Sequence, residues 1–169
     1  MNIHFTIAQK KDFDLVFQMM LRAKEHSYSE GVFQWDEKYP SAEGLLSDIE
    51  GGHMHLIKCN DDLVGFFVFN SSSEDDLHGN LQWINQSDTW TFFHRLCIDP
   101  LYQGKGYGQI VIKKFLEIIT ALGYESVRVD VFSTNTAAIH IYNKFGFKLI
   151  GECLSYRGMF YVFEKMLQL

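Results

Sequence analysis

The sequence is poor in cysteine and has no excess of positive charge. Its three cysteines, Cys59, Cys97 and Cys153, lie far apart and form no C-x-x-C pair, which argues against a structural zinc site and a disulfide framework. Asp and Glu outnumber Lys and Arg by 21 to 15, for a net charge of −6, whereas a nucleic-acid-binding surface is basic. We therefore expect no metal and no nucleic acid partner.

Long apolar runs are also missing. No run approaches the roughly 20 residues that cross a bilayer, and the N-terminal residues lack the basic region and apolar core of a signal peptide. We therefore expect no membrane partner and a cytoplasmic location. The 169 residues are 47% hydrophobic and 15% aromatic, and they show neither repeats nor a linker. They predict a single domain, residues 1–169, with a well-formed core.

The most informative stretch is 99–108, Asp-Pro-Leu-Tyr-Gln-Gly-Lys-Gly-Tyr-Gly. It follows an apolar run, 91–98, that is typical of a strand, and precedes apolar residues at helical spacing that end at Gly123. Gly104, Gly106 and Gly108 let the backbone turn tightly and leave N–H groups accessible at the positive end of a helix. This combination predicts an anion site suited to phosphate or pyrophosphate.

The spacing of the glycines decides between kinds of phosphate site. A Walker A loop needs Gly-x-x-x-x-Gly-Lys-Ser/Thr, which is absent from the sequence. A dinucleotide fingerprint needs a third glycine three residues after the second, and Gln109 stands there. Asp130 lies about where a ribose-binding acid is expected. A nicotinamide-dependent oxidoreductase is therefore weakened as an alternative but stays open.

Three motifs follow one another in the second half of the chain. They are Gln103-x-x-Gly106-x-Gly108, Asn135-x-x-Ala138-x-x-x-Tyr142 and Phe145-Gly146-Phe147. Together, from about residue 92 to residue 151, they resemble the GCN5-related N-acetyltransferase (GNAT) superfamily. The resemblance implies an α/β (α+β) fold with a mixed, mainly antiparallel central sheet flanked by helices. It also implies acetyl-CoA as cosubstrate and direct attack by a primary amine of a small molecule or peptide in a ternary complex.

The same resemblance implies which residues contact acetyl-CoA. The amides of the glycine loop would hold the pyrophosphate, the strand before it would pair with the pantetheine amides, and two residues of a later helix would contact the pantetheine arm and the phosphates. The implied cofactor-binding residues are Leu96, Cys97, Ile98, Gln103, Gly104, Lys105, Gly106, Tyr107, Gly108, Asn135, Tyr142 and Lys144.

Tyr142 resembles the tyrosine that protonates the departing thiolate in this superfamily. Its place in an i, i+3, i+4, i+7 apolar stripe also fits simple core packing. Removing a proton from the attacking ammonium calls for a base, and His94 or Asp130 is the candidate, with a water-mediated path as the alternative. Cys97 invites a covalent mechanism, but nothing beside it in sequence activates a thiolate, which favours a buried inert thiol.

Other residues carry two interpretations each. Asn135 fits a helix N-cap as well as a pantetheine contact, and Lys144 fits a solvated helix end. Trp35 and Tyr39 lie where relatives form acceptor pockets and would bind an alkylammonium group by cation–π contacts, or pack in the core. A CoA-binding regulatory domain without catalysis is the main alternative function. The protein could also form a homodimer, an expectation that the sequence leaves open.

The coarse pattern predicts the remaining elements. A helix would begin at an Asp12 cap, and a second would run from a Ser41 cap to Gly51. Residues 70–88 are polar and predict a long loop. Further strands are predicted at 3–7, 53–58, 63–70, 126–131, 148–153 and 159–165, with a helix at 135–144.

Overall fold

The structure is a computed structural model, and it describes residues 2–72, 78 and 81–168. Within these residues the chain forms seven strands and four α-helices. In chain order they are β1 Ile3–Ile7, α1 Phe13–Ser29, α2 Ala42–Glu50, β2 Met54–Cys59, β3 Asp62–Asn70, β4 Trp90–Ile98, α3 Tyr107–Ala121, β5 Ser126–Phe132, α4 Thr136–Lys144, β6 Lys148–Ser155 and β7 Gly158–Met166.

The strands are neighbours in the order β1-β2-β3-β4-β5-β7-β6. β4 and β5 are parallel, whereas the hairpins β2–β3 and β6–β7 and the pairs β1–β2 and β5–β7 are antiparallel. The predicted mixed, mainly antiparallel sheet with helices is therefore confirmed. By contacts the chain divides into two compact units, Met1–Phe69 with His94–Val111, and Asn70–Phe93 with Ile112–Leu169. The single domain stays a prediction.

In the first unit, α1 and α2 pack together with residues of β2 and β3 in one hydrophobic core. β1 pairs with β2 from Ile3 opposite Cys59 to Ile7 opposite His55, and both strands match the predicted ones to within a residue. The buried face of α1 has helical spacing, which is why an amphipathic pattern predicted it. The core of this unit contains Val16, Met19, Met20, Ala23, Trp35, Leu45, Ile49, Met54, Leu56, Phe66, Val68 and Cys97.

The two predicted helix caps differ in outcome. The Ser41 side chain accepts a hydrogen bond from the Gly44 amide at 3.0 Å, so this cap is confirmed. Asp12 stands at the first position before α1, but its side chain makes no cap bond to that helix. It accepts instead from the Gln9 amide at 2.8 Å, because a short 3-10 turn precedes α1. The predicted N-cap position of Asp12 is therefore confirmed, but its side chain does not cap the helix.

In the second unit, β5 lies between β4 and β7. β5 pairs with β7 from Ser126 opposite Met166 to Phe132 opposite Phe160. The parallel pairing of β4 with β5 covers Trp90 to Phe92. Both faces of β5 are buried, as expected for a strand inside a sheet, although Ser126, Arg128 and Asp130 alternate with its apolar residues.

A fully buried carboxylate holds this unit together. Glu164 on β7 is 0% exposed. Its Oε1 accepts from Arg128 Nε at 3.1 Å and from Ser126 Oγ at 2.9 Å, while its Oε2 accepts from the amides of Ile84 and Asn85 at 2.5 and 3.3 Å. Four donors compensate for the loss of water around the charge, which a buried carboxylate requires.

Arg128 completes this arrangement from β5. Its guanidinium lies between two indole rings, 4.1 Å from the centroid of Trp83 and 4.3 Å from that of Trp90. It also donates to the Asn85 carbonyl at 3.0 Å. Residues 83–90 are thus tied to the sheet by ionic, hydrogen-bonding and cation–π contacts.

The predicted polar loop 70–88 lies partly outside the described residues, since 73–77 and 79–80 are not among them. Its described part after β3 contains neither strand nor α-helix, in agreement with the prediction. Asn85 nevertheless is buried, so the end of the loop belongs to the core of the unit. In the part of the chain that the structure describes, no helix is both long and apolar enough to cross a membrane.

Glu164→Ala should lower the free energy of unfolding by about 3–5 kcal/mol, because it leaves Arg128 buried without its counter-ion. Urea denaturation followed by tryptophan fluorescence measures this. Glu50→Ala is the matched control: it removes an exposed ion pair with Lys10 of 3.4 Å and should cost no more than about 1 kcal/mol. Equal, small losses in both variants would contradict the role given to Glu164.

Candidate functional site

The glycine loop lies in the first unit, at the start of α3. Gly104 and Gly106 have φ of +72° and +83°, a left-handed conformation that glycine adopts without strain. A Cβ on either residue would meet no atom within 4 Å, so the space above the loop is open. Conformation and access, rather than crowding, therefore require glycine here.

Helix α3 begins at Tyr107, within the glycine-rich stretch. The bond from the Ile110 amide to the Gly106 carbonyl, at 3.3 Å, follows the helical pattern of four residues. The amides of Tyr107 and Gly108 precede that bond and have no acceptor within the helix itself. Together with the helix dipole they fit an anionic group such as a pyrophosphate.

Two side chains of the loop bond to its own backbone. Gln103 Nε2 donates to the Ile98 carbonyl at 2.8 Å, and Lys105 Nζ donates to the Leu101 carbonyl at 2.7 Å. Lys105 Nζ also lies 5.5 Å from the centroid of the Tyr102 ring. These contacts shape the loop, and the predicted cofactor contacts of Gln103 and Lys105 stay predictions.

An ion pair between a half-exposed arginine and a buried aspartate positions the strand end from which the loop departs. Asp99 is 3% exposed, and its Oδ2 accepts from Arg22 of α1 at 2.5 Å. Its Oδ1 accepts from the Leu101 amide at 3.0 Å and so caps the short turn that follows β4. Sequence reasoning named Asp99 only as part of the stretch, because its partner lies 77 positions away.

The end of β4 lies close against β3. The Asp99 amide donates to the Val64 carbonyl at 2.9 Å, and a Cβ on Gly65 would overlap the Cys97 carbonyl. Only glycine at position 65 allows this approach. Leu96 and Ile98 are half-buried and flank the buried Cys97, and the predicted pairing of their backbone with pantetheine stays a prediction.

The Cys97 thiol is buried, with 2% of the residue exposed. Burial raises its pKa well above the usual range; the nearby Asp99 carboxylate adds to the shift and Arg22 opposes it. The thiol therefore stays protonated at neutral pH, and a protonated thiol is a poor nucleophile. This supports the interpretation of Cys97 as an inert core residue.

His94 is buried beside Arg95 on β4. Arg95 Nη1 lies 3.2 Å from His94 Nδ1 and 3.0 Å from Asp48 Oδ2 on α2. Because a guanidinium can only donate, His94 Nδ1 accepts, and the neutral ring carries its proton on Nε2. The lone pair of Nδ1 is thereby engaged by a cation.

Arg95 was missed by sequence reasoning. Its φ of +52° is unusual for a residue that is not glycine, and its guanidinium lies 5.1 Å from the centroid of the Tyr39 ring. The signal in the sequence was a charged residue inside an otherwise apolar strand, with Asp48 on the buried face of α2 as its counter-ion.

The residues predicted for the acceptor pocket have different surroundings. Trp35 is 6% exposed and belongs to the core of the first unit, which supports its packing role. Tyr39 is half-buried beside that core, where its ring already receives the guanidinium of Arg95. Contact of either residue with an acceptor stays a prediction.

Tyr142 lies in the second unit and is 6% exposed. Its ring centroid is 5.2 Å from that of Phe147 and 6.2 Å from that of Phe163. Burial raises the Tyr142 pKa above its usual range, and the charge of Asp130 adds to the shift. The hydroxyl is therefore protonated at neutral pH, as a proton donor must be.

The other residues predicted on α4 occupy its two ends. Asn135 caps the helix, and its Oδ1 accepts from the Ala138 amide at 3.1 Å, so the N-cap interpretation is confirmed. Lys144 is the exposed last residue of α4. The cofactor contacts of both residues stay predictions.

Asp130 on β5 has a neighbour that the sequence did not reveal. His78 Nε2 lies 3.5 Å from Asp130 Oδ2. The imidazole stacks on Phe92 with centroids 5.2 Å apart, and meets Trp83 edge-on at 6.0 Å. A histidine within a polar loop gives no signal of burial, yet His78 is 7% exposed. Among the described residues no cluster of three His, Cys, Asp or Glu is placed to hold a metal ion.

Parts of the sequence are similar to acetyltransferases of known function. The spermine/spermidine N(1)-acetyltransferase of Bacillus subtilis (strain 168) is 34% identical over 102 residues, which are 57% of this chain and 59% of that protein. The mycothiol acetyltransferase of Gordonia bronchialis is 32% identical over 83 residues, 48% of this chain and 27% of that protein. The chain therefore spans little more than half the length of the Bacillus relative.

The fold is shared over nearly the full length with a solved structure. An acetyltransferase of the GNAT family from Streptococcus agalactiae 2603 superposes with a TM-score of 0.84 at 20% identity, covering 99% of this chain and 96% of that one. The sequence model of the acetyltransferase (GNAT) family matches residues 17–147, a range that contains the glycine loop, Asp130 and Tyr142. The chain belongs to the acetyltransferase (GNAT) family.

Proposed function

We propose that the protein transfers an acetyl group from acetyl-CoA to a primary amine of a small molecule or peptide. The observation that carries this proposal is the open glycine loop at the start of α3 in a chain of the GNAT family. Family membership disfavours the nicotinamide-dependent alternative. A CoA-binding domain without catalysis remains the alternative that experiment must separate. A homodimer and a cytoplasmic location stay predictions.

The residues present fit acetyl-CoA. The amides from 104 to 108 would hold the pyrophosphate, because the Gln103 amide already donates to the Pro100 carbonyl at 3.3 Å. The backbone of Leu96, Cys97 and Ile98 would pair with pantetheine, and Asn135 and Lys144 would contact the arm and the phosphates. Acetyl-CoA supplies the acetyl group as a thioester, which an amine can attack. At the loop, the N–H groups and the helix dipole would compensate the negative charge of the pyrophosphate.

The acceptor must lose a proton before it attacks. A primary amine with a pKa of about 10.4 is mostly charged at pH 7, and its deprotonation accounts for roughly 4–5 kcal/mol of the barrier. His94 and Asp130 are the predicted bases, and Tyr142 is the predicted acid for the departing thiolate. The Bacillus relative is named for spermine and spermidine, which are aliphatic primary amines, and this supports an alkylammonium acceptor.

The experiment for this proposal measures release of free thiol from acetyl-CoA with a panel of amines. The panel contains a polyamine, a monoamine, an amino sugar and a peptide with a free N-terminus. Turnover with at least one amine is expected. Thermal stabilisation by acetyl-CoA without turnover of any amine would favour the regulatory domain, and stabilisation by NAD alone would favour the oxidoreductase.

Gly106→Ala should weaken acetyl-CoA binding by roughly tenfold or more, about 1.4 kcal/mol, because its Cβ would stand where the pyrophosphate approaches the amides. Isothermal titration calorimetry measures the affinity. Gly123→Ala is the matched control: Gly123 has a φ of +86° and equally open surroundings, but it lies at the far end of α3. Both variants should lose similar stability, and equal affinity in both would contradict the proposed loop.

Tyr142→Phe should lower kcat by roughly 10²–10⁴-fold, because the thiolate then departs without a proton donor. Binding of acetyl-CoA should change little. Since the Tyr142 pKa is raised, its acidic form persists below pH 10, and no loss of wild-type activity from its deprotonation is expected there. Tyr124→Phe, at a half-buried position after α3, is the control. A kcat of Tyr142→Phe near that of wild type would contradict the acid role and leave Tyr142 as a residue of the core.

Cys97→Ala should retain kcat within a few-fold, because burial keeps the thiol protonated. Initial rates with both substrates varied should give intersecting lines, as a ternary complex requires. Parallel lines, together with loss of activity in Cys97→Ala and an acetyl group on Cys97 by mass spectrometry, would overturn direct attack.

A further inference from the structure

His78 is the one histidine in the described part of the second unit whose ring is buried beside a carboxylate. Neither ring nitrogen makes a hydrogen bond to a described residue, although Nε2 lies 3.5 Å from Asp130 Oδ2. Burying an imidazole without hydrogen bonds is costly. Such an atom is explained when a ligand supplies the missing partner, and catalytic hydrogen bonds often shorten only when substrate is bound.

We propose that His78 is the general base of the acetyl transfer and that Asp130 positions it. This inference rests on the proposed function. With substrate bound, a shortening of the 3.5 Å between Nε2 and Asp130 Oδ2 would let the carboxylate accept from Nε2–H, which would fix the tautomer and direct the lone pair of Nδ1 to the acceptor. The arrangement follows the general rule that a third group orients a catalytic base. Stacking on Phe92 and the edge contact with Trp83 hold the ring.

The carboxylate of Asp130 connects the base with the proposed acid. Its charge contributes to the raised Tyr142 pKa, so both side chains lie within electrostatic range of each other. His78 therefore lies in the same part of the second unit as the hydroxyl that is proposed to meet the thiolate. The reaction needs the base close to the acid, because the attacking nitrogen loses a proton and the departing sulfur gains one at the same thioester.

His78 and His94 differ in the sign of the charge beside them. A base becomes a cation when it takes a proton. The His78 imidazolium would lie beside the Asp130 carboxylate and be stabilised by it. The His94 imidazolium would lie 3.2 Å from the guanidinium of Arg95, and protonation of Nδ1 would also displace that hydrogen bond. The sign of the neighbouring charge therefore favours His78 over the histidine that the sequence suggested.

The protons balance as follows. His78 Nδ1 takes one proton from the acceptor ammonium, and the neutral nitrogen forms a bond to the carbonyl carbon of the thioester. The carbon–sulfur bond breaks, and the Tyr142 hydroxyl gives its proton to the sulfur. The second proton lost by the nitrogen restores Tyr142. One proton leaves the imidazolium for solvent, so each amide formed releases one proton and one free thiol.

The test compares steady-state kinetics of His78→Ala and His78→Gln with those of wild type, on an amine that the wild type acetylates. Both variants should lose roughly 10²–10³-fold in kcat/KM for the amine at pH 7 with unchanged affinity for acetyl-CoA. His78→Gln keeps a polar side chain, and circular dichroism verifies its fold. Asp130→Asn should lose at least tenfold. His140→Ala, at an exposed position on α4, is the control and should match wild type.

Two readouts separate a base from a merely structural residue. Added imidazole should restore part of the activity of His78→Ala but not that of Asp130→Asn. The deficit of His78→Ala should also shrink towards pH 10, where the amine of pKa about 10.4 becomes neutral without help. The groups that bear on this profile are Asp130, which faces His78, then Tyr142 and Cys153, which sense the charge of Asp130, and Arg128 behind Trp83.

The outcomes are distinct. Activity of His78→Ala within threefold of wild type overturns the inference and leaves the proposed function intact. A loss that imidazole does not relieve and that is equal at every pH assigns His78 a structural role and overturns it as well. The same pattern of loss and rescue in His94→Ala, with an unaffected His78→Ala, assigns the base to His94. A wild-type protein that binds acetyl-CoA and turns over no amine overturns both proposals.

Discussion

The second unit depends on the buried Glu164 carboxylate. It is removed from water by β5 and β7, and it is stable there because four donors surround it. Two of these donors are backbone amides of the segment 83–90, so the same charge that pairs with Arg128 also fixes the chain leading into β4. Trp83, which stacks on Arg128, is the residue that meets His78 edge-on. A carboxylate with no chemical role thus determines where a titratable ring lies.

In the first unit, the Asp99–Arg22 ion pair positions the end of β4 from which the glycine loop departs. The amides that bind an anion cannot at the same time donate hydrogen bonds that hold the loop in place. The turn after β4 uses the amides of Leu101, Tyr102 and Gln103, and the side chains of Gln103 and Lys105 donate to the carbonyls of Ile98 and Leu101. The backbone N–H groups at the start of α3 are left for a ligand. The shape of the loop and its chemistry are therefore assigned to different atoms.

Local patterns predicted most of the fold. Amphipathic spacing identified α1 and α4, the Ser41 cap fixed the start of α2, and strand ends were off by one or two residues. The apolar spacing of α3 begins only at Ile110, so it does not mark the first residue of the helix, Tyr107. Asp12 failed as a capping side chain because a preceding 3-10 turn offered it a closer amide. These errors arise where several local solutions compete.

Long-range pairs could not be predicted. Arg95 with Asp48, Arg22 with Asp99 and Arg128 with Glu164 join residues that are dozens of positions apart. Their spacing follows no helical or strand period, so a single sequence does not show which charged residue pairs with which. His78 is the extreme case, since it lies in a polar segment that predicts exposure and is buried only because β4 and β5 supply Phe92 and Asp130. Family motifs, in contrast, pointed to the glycine loop and Tyr142 directly.

Tyr142 shows why packing and catalysis need not be alternative explanations of one residue. The apolar stripe that predicts core packing also predicts desolvation of the hydroxyl, and desolvation raises the pKa of a phenol because it penalises the phenolate. Asp130 acts in the same direction through its charge. A side chain that is held against Phe147 and Phe163 by burial is therefore also kept in the protonated form that a general acid requires. The hydrophobic core supplies both its position and its charge state.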